Sequence, residues 1–176
     1  AGPLTVSFTG SSSTDPENGP LTYQWNFGNG TSTAANPTQV FTAPAGVPTS
    51  YNVTLTVTDN VGQSTTRTLL VSVNNTPPVV DITSIPAVAY YPLLVDTTYQ
   101  LQAQVTDIEH GPAQLSYAWR TTLHHNTHTH PEPIDANVNT STVISGAGCN
   151  GETFYYKVRL EVTDASGLTG SCERTL

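Results

Sequence analysis

Four of the chain's five histidines fall within seven residues, in Leu123-His124-His125-Asn126-Thr127-His128-Thr129-His130-Pro131-Glu132. Imidazole nitrogens ligate transition metals and shuttle protons, so metal binding and acid–base catalysis are the chemistries to weigh first. Catalysis fits poorly: no Ser, Cys or acid stands at a recognised triad spacing from these rings, and no second acid–base pair accompanies them. A purification tag is also excluded, because the run is internal and interrupted. Metal chelation remains the sharper option, with Zn²⁺ or Cu²⁺ as the ions that imidazole favours. On an extended strand His124, His128 and His130 share one face, with Glu132 next in line. His128 and His130 then lie about 7 Å apart, close enough to hold one ion with a third ligand from elsewhere. His124 lies about 13 Å further back, unless the chain turns. A turn at Asn126-Thr127 would also bring His125 near. The rival reading is an exposed polar loop whose rings stack or hydrogen-bond without an ion.

The elements that would carry this segment come from a duplicated pattern. Asp15-Pro16-Glu17-Asn18-Gly19-Pro20 recurs as Asp107-Ile108-Glu109-His110-Gly111-Pro112, and Leu21-Thr22-Tyr23-Gln24-Trp25 recurs as Leu115-Ser116-Tyr117-Ala118-Trp119. Val57-Thr58-Asp59 recurs as Val162-Thr163-Asp164, with the offset widening most between the tryptophan and the aspartate, where the histidines lie. Tyr51-Asn52-Val53-Thr54-Leu55-Thr56-Val57 and Tyr156-Lys157-Val158-Arg159-Leu160-Glu161-Val162 alternate apolar and polar, as strands with one buried face do. Tyr99, Leu101, Ala103 and Val105 predict another. Gly-, Asn- and Asp-rich turns punctuate the runs, and no segment has sustained helical periodicity. The expectation is all-β: two tandem immunoglobulin-like antiparallel sandwiches over residues 1–74 and 75–176, joined at Asn74-Asn75-Thr76-Pro77-Pro78. Trp25 and Trp119 are expected in the two cores.

Leu21-Thr22-Tyr23-Gln24-Trp25-Asn26-Phe27-Gly28-Asn29-Gly30, followed by a strand ending Val57-Thr58-Asp59, resembles the polycystic kidney disease (PKD) domain. That family's hallmark is Trp-Asp-Phe-Gly-Asp-Gly; Asn26 and Asn29 replace both aspartates here. The second copy keeps Leu-x-Tyr-x-Trp and Val-Thr-Asp but lacks the glycine turn, and so is PKD-like. The resemblance implies a non-catalytic module of a secreted, multidomain, bacterial protein, with an adjacent catalytic domain of the same polypeptide as partner. It also implies that the first sandwich lacks its opening strand.

In such sandwiches the linker and two inter-strand loops share one end, which gathers Asn75, Asp107, Glu109 and Asp164 in the second copy. These oxygens suit Ca²⁺, and the resemblance implies the same, since some members bind calcium there. Equally, Asp and Asn cap turns without any ion.

Composition narrows the partners. A net charge of −8 opposes nucleic acid, and no apolar run approaches a membrane span. A chain without methionine, beginning Ala1-Gly2-Pro3, reads as a piece of a longer polypeptide, secreted or on the cell surface. Cys149 and Cys172 are a potential disulfide pair, against which the hairpin geometry counts. Polysaccharide is a further expected partner, with Tyr90, Tyr91 and Tyr155 as the exposed aromatics available to it.

Overall fold

In a computed structural model of the chain, residues 2–146, 148, 151 and 153–176 are described. The chain divides into two compact units, Ala1–Asn75 and Thr76–Leu176. Among the described residues both are antiparallel and all-β apart from one 3-10 turn at Pro112–Gln114.

The first unit comprises β1 (Leu4–Ser7), β2 (Thr22–Asn26), β3 (Thr31–Ser32), β4 (Thr38–Phe41), β5 (Thr49–Thr58) and β6 (Ser64–Val73). One sheet runs β3-β2-β5-β6 and the other pairs β1 with β4. Alternation places Trp25, Val53 and Val71 on the inner face, where Phe8, Phe27, Phe41 and Val73 complete the core. Trp25 is buried, and its indole N–H donates to the Ala34 carbonyl at 3.0 Å, so a large ring is enclosed without stranding its one polar atom.

The turn after β2 explains the two departures from the Trp-Asp-Phe-Gly-Asp-Gly hallmark. Asn26 Oδ1 accepts the Gly28 N–H at 2.9 Å, a role that an aspartate would fill equally. Asn29 is different: its Nδ2 donates to the Val40 carbonyl at 2.9 Å, a bond that an aspartate could not donate. Gly28 takes φ 77°, the left-handed region a side chain would resist.

The second unit comprises β7 (Val79–Ile82), β8 (Thr97–Leu101), β9 (Ala103–Thr106), β10 (Leu115–His125), β11 (His128–Pro131), β12 (Thr140–Ile144), β13 (Phe154–Asp164) and β14 (Thr169–Thr175). Its main sheet runs β11-β10-β13-β14, with β12-β8 and β7-β9 as two-stranded sheets. Tyr156, Val158, Leu160 and Val162 are all buried, as their alternation predicts, and pack with Ile82, Leu101, Trp119 and Ile144. Trp119 is 2% exposed and its backbone exchanges two hydrogen bonds with Asp135, of 2.8 and 3.0 Å.

The run Tyr99–Val105, expected as one strand, is broken at Gln102. Leu101 belongs to β8, paired with β12, whereas Ala103 opens β9, paired with β7. Gln102 makes the crossing with its backbone: its carbonyl accepts the Thr83 N–H at 3.0 Å and its N–H donates to Ser84 Oγ at 3.0 Å. The apolar alternation continues through the break, which is why the sequence conceals it. Among the described residues the first unit has no strand equivalent to β7, in line with the expected missing first strand.

Candidate functional sites

The histidine segment is a hairpin. β10 runs past Trp119 to His125, the chain turns at Asn126-Thr127, and β11 returns from His128. Asn126 adopts φ 49°, the left-handed conformation that a two-residue hairpin turn demands and asparagine tolerates. The register pairs His125 with His128, Leu123 with His130 and His124 with Thr129. Directly opposed residues share a face, so His125, His128 and His130 converge while His124 points the other way. Their metal-binding nitrogens all lie within 4.8 Å of one another. His125 Nε2 and His130 Nε2 stand 2.9 Å apart, one donating to the other. His125 also stacks on Phe154 of β13, with centroids 5.2 Å apart and planes 9° from parallel.

The two other expected ligands are elsewhere. The His124 ring stacks on Tyr155 at 4.6 Å, on the opposite face from the trio. Glu132 follows β11, where its N–H donates to the Thr121 carbonyl at 2.8 Å, and it is outside the convergent group.

At the loop end of the second unit, Asp107, His110 and Asp164 form a second cluster. Asp107 Oδ1 accepts the N–H groups of Glu109 (2.9 Å) and His110 (2.7 Å). His110 Nδ1 lies 3.2 Å from the same oxygen and 3.9 Å from Asp164 Oδ2, and the side chains of both aspartates are fully enclosed. Because a carboxylate only accepts, the proton of this bond sits on Nδ1. His110 Nε2 lies 3.1 Å from Ser166 Oγ. Asp164 Oδ1 accepts from the N–H groups of Ser166 and Leu168, at 2.8 and 3.0 Å. His110 thus joins the Asp107 loop to the β13–β14 turn. The repeat carried the signal for it, since it stands where the first copy has Asn18.

Asp107, His110 and Ser166 contain the three groups of a serine-nucleophile relay, but an oxyanion also requires spare donors. Here the neighbouring N–H groups of Ser166 and Leu168 already serve Asp164. Calcium requires about six to eight oxygen ligands. Of the four residues expected to supply them, Asp107 and Asp164 come together, and Glu109 Oε2 accepts the Thr76 N–H (3.1 Å) and hydroxyl (2.8 Å). Among the described His, Cys, Asp and Glu side chains, two carboxylates and a ring nitrogen converge there, and Asp107 Oδ2 is a buried acceptor without a partner among the described residues.

The first unit uses the same turn chemistry. Asp59 Oδ1 accepts from Val61 and Gln63 N–H at 2.9 and 2.8 Å, the same two and four residue steps seen at Asp164. Asp15 Oδ2 accepts from Gly19 N–H at 2.7 Å.

Residues 1–73 match the family model for the PKD domain. The first unit is a PKD domain. No curated protein matches the sequence. Among solved structures, the fibronectin(III)-like modules of Clostridium thermocellum CbhA are similar at 13% identity and a TM-score of 0.36, covering 99% of this chain and 84% of that one. PKD domains are typically extracellular, non-catalytic modules. Among the described residues no helix is long and apolar enough to cross a membrane.

Of the tyrosines expected to be available to a sugar, Tyr90 is 87% exposed, but Tyr155 is stacked against His124 and Tyr91 packs edge-on against Tyr156 at 5.3 Å. Cys172 Sγ accepts from Arg174 Nη1 at 3.0 Å. The expected pairing of Cys149 with Cys172 falls on Cys149, which lies outside the described residues.

Proposed function

We propose that the chain is a non-catalytic spacer or interaction segment of a secreted or cell-surface multidomain protein, standing beside a catalytic domain of the same polypeptide. The observation that carries this reading is the PKD match over residues 1–73, a module type that is typically non-catalytic. The side-chain chemistry agrees with it. Both interiors are filled by aromatic and branched residues. The acidic loop residues Asp15, Asp59, Asp107 and Asp164 hold backbone N–H groups of their own turns, the work of structural aspartates.

The test is direct. The purified chain, incubated with panels of ester, glycoside and peptide substrates, is expected to turn over none of them. Hydrolysis abolished by Ser166→Ala or His110→Ala in a chain that still folds would overturn the reading.

A further inference from the structure

We propose that His125, His128 and His130 form a chelating site for one divalent transition-metal ion, Zn²⁺ or Cu²⁺, at the tip of the β10–β11 hairpin. This goes beyond the spacer reading and stands on separate observations. Two nitrogens held at about 2.0–2.1 Å from one ion are about 3.3 Å apart in a tetrahedral shell and about 2.9 Å apart in a square one. His125 Nε2 and His130 Nε2 already stand at 2.9 Å. The nitrogens of all three rings lie within 4.8 Å, so the widest pair closes to chelating distance by a side-chain rotation rather than a backbone movement.

The site has a firm side and an adjustable one. His125 is half-buried and its ring lies flat on Phe154, while the Asn126 N–H at the turn donates to the Thr153 carbonyl at 3.2 Å. His128 and His130 are exposed and able to adjust their rings to the ion. No carboxylate belongs to the group, so its chemistry selects borderline transition metals over Ca²⁺ or Mg²⁺. Without an ion, a nitrogen-to-nitrogen bond joins His125 to His130, whose rings also stack at 5.0 Å, and His128 lies edge-on to His125 at 3.8 Å, so the three rings are already gathered at the point where an ion would sit. Three protein ligands leave at least one coordination position for water or an exogenous group.

The experiment titrates ZnCl2, and separately CuCl2, into the full chain at pH 7.5 by calorimetry, after tag-free purification and chelator treatment. One ion per chain is expected, with Cu²⁺ bound more tightly than Zn²⁺. Removing even an outer-shell partner of a metal site costs roughly 10–100-fold in affinity, so His128→Ala and His130→Ala should each weaken Zn²⁺ at least tenfold and the double variant about 100-fold or more. His124→Ala, on the opposite face, should stay within about twofold of the parent, a change that Tyr155 stacking alone would account for. Unchanged fluorescence of Trp119, read in a Trp25→Phe background before metal is added, establishes that the variants fold, and His130→Gln serves if the alanine variant does not. The proposal is overturned if Zn²⁺ binding does not saturate near one ion per chain, if the double variant binds like the parent, or if His124→Ala weakens binding as much as His128→Ala.

Discussion

Replacing Asp164 by alanine and, separately, its counterpart Asp59 by alanine sets the same chemistry in two degrees of burial. Each aspartate accepts two backbone N–H groups through one oxygen, two and four residues ahead. The Asp164 side chain is fully enclosed and lies 3.9 Å from the His110 ring, whereas the Asp59 bonds are exposed. A hydrogen bond to a charged acceptor contributes about 1.5–3 kcal/mol, and a donor left buried keeps its desolvation penalty. Losing two such bonds at Asp164 should therefore cost about 3–5 kcal/mol. At Asp59, where water replaces the carboxylate, the loss should be about 1 kcal/mol. Asp164→Asn keeps an acceptor at the same place and should recover most of the difference.

The two tryptophans allow each unit to be read alone: Trp25→Phe leaves Trp119 as reporter, and Trp119→Phe leaves Trp25. In urea, with a slope of about 1.5 kcal/mol per molar, Asp164→Ala should lower the Trp119 midpoint by about 2 M or more, and Asp59→Ala should lower the Trp25 midpoint by less than about 1 M. Equal shifts for the two alanine variants would refute the argument from burial. So would an asparagine variant no more stable than the alanine one.

Other outcomes are expected of single changes. Gly170→Ala would bring a Cβ to within 1.8 Å of the Pro78 carbonyl oxygen and 2.9 Å of its carbon, a backbone clash; the second unit should lose about 1–3 kcal/mol in urea unfolding followed by Trp119. The Thr140 hydroxyl, followed by the Asn137 N–H, holds the Asp135 carboxyl below its ordinary value of 3.8. A depressed value in the folded state means stabilisation that is complete above the unfolded value and lost as pH falls through the folded one, so Thr140→Val should move the acid-unfolding midpoint seen by Trp119 upward. Millimolar CaCl2 should leave that unit's thermal midpoint unchanged, and a clear rise would show that the Asp107–Asp164 end completes a calcium shell after all. Affinity gels containing insoluble polysaccharides should not retard the chain; retention lost in Tyr90→Ala would favour a sugar-binding role.

The sandwich was legible because its signals are local and repeated. Tyr156, Val158, Leu160 and Val162 alternate without interruption and are all buried, and both Leu-x-Tyr-x-Trp segments deliver a core tryptophan. Gln102 was not legible, since a strand can change sheets without disturbing its inside–outside alternation. The histidines show why facing residues are harder to read than elements. One uninterrupted strand would place His124 with His128 and His130, but a two-residue turn at Asn126-Thr127 reverses the parity and substitutes His125. His110 was obscured for another reason. A position that serves a turn in one copy, as Asn18, carries in the other a ring long enough to reach Ser166 across the loop end.

The turn after β2 and the hairpin after β10 occupy the same margin of the two sandwiches, and they differ greatly in size. In the first unit the returning segment is Thr31–Ser32; in the second it is His128–Pro131, met by a strand that extends well past its tryptophan. Length at that margin is therefore a free variable of the architecture, because new rungs are added outward from the tryptophan and displace nothing beneath it. A designer seeking to graft a ligand-bearing finger onto the smaller module has a template for the position in its own neighbour.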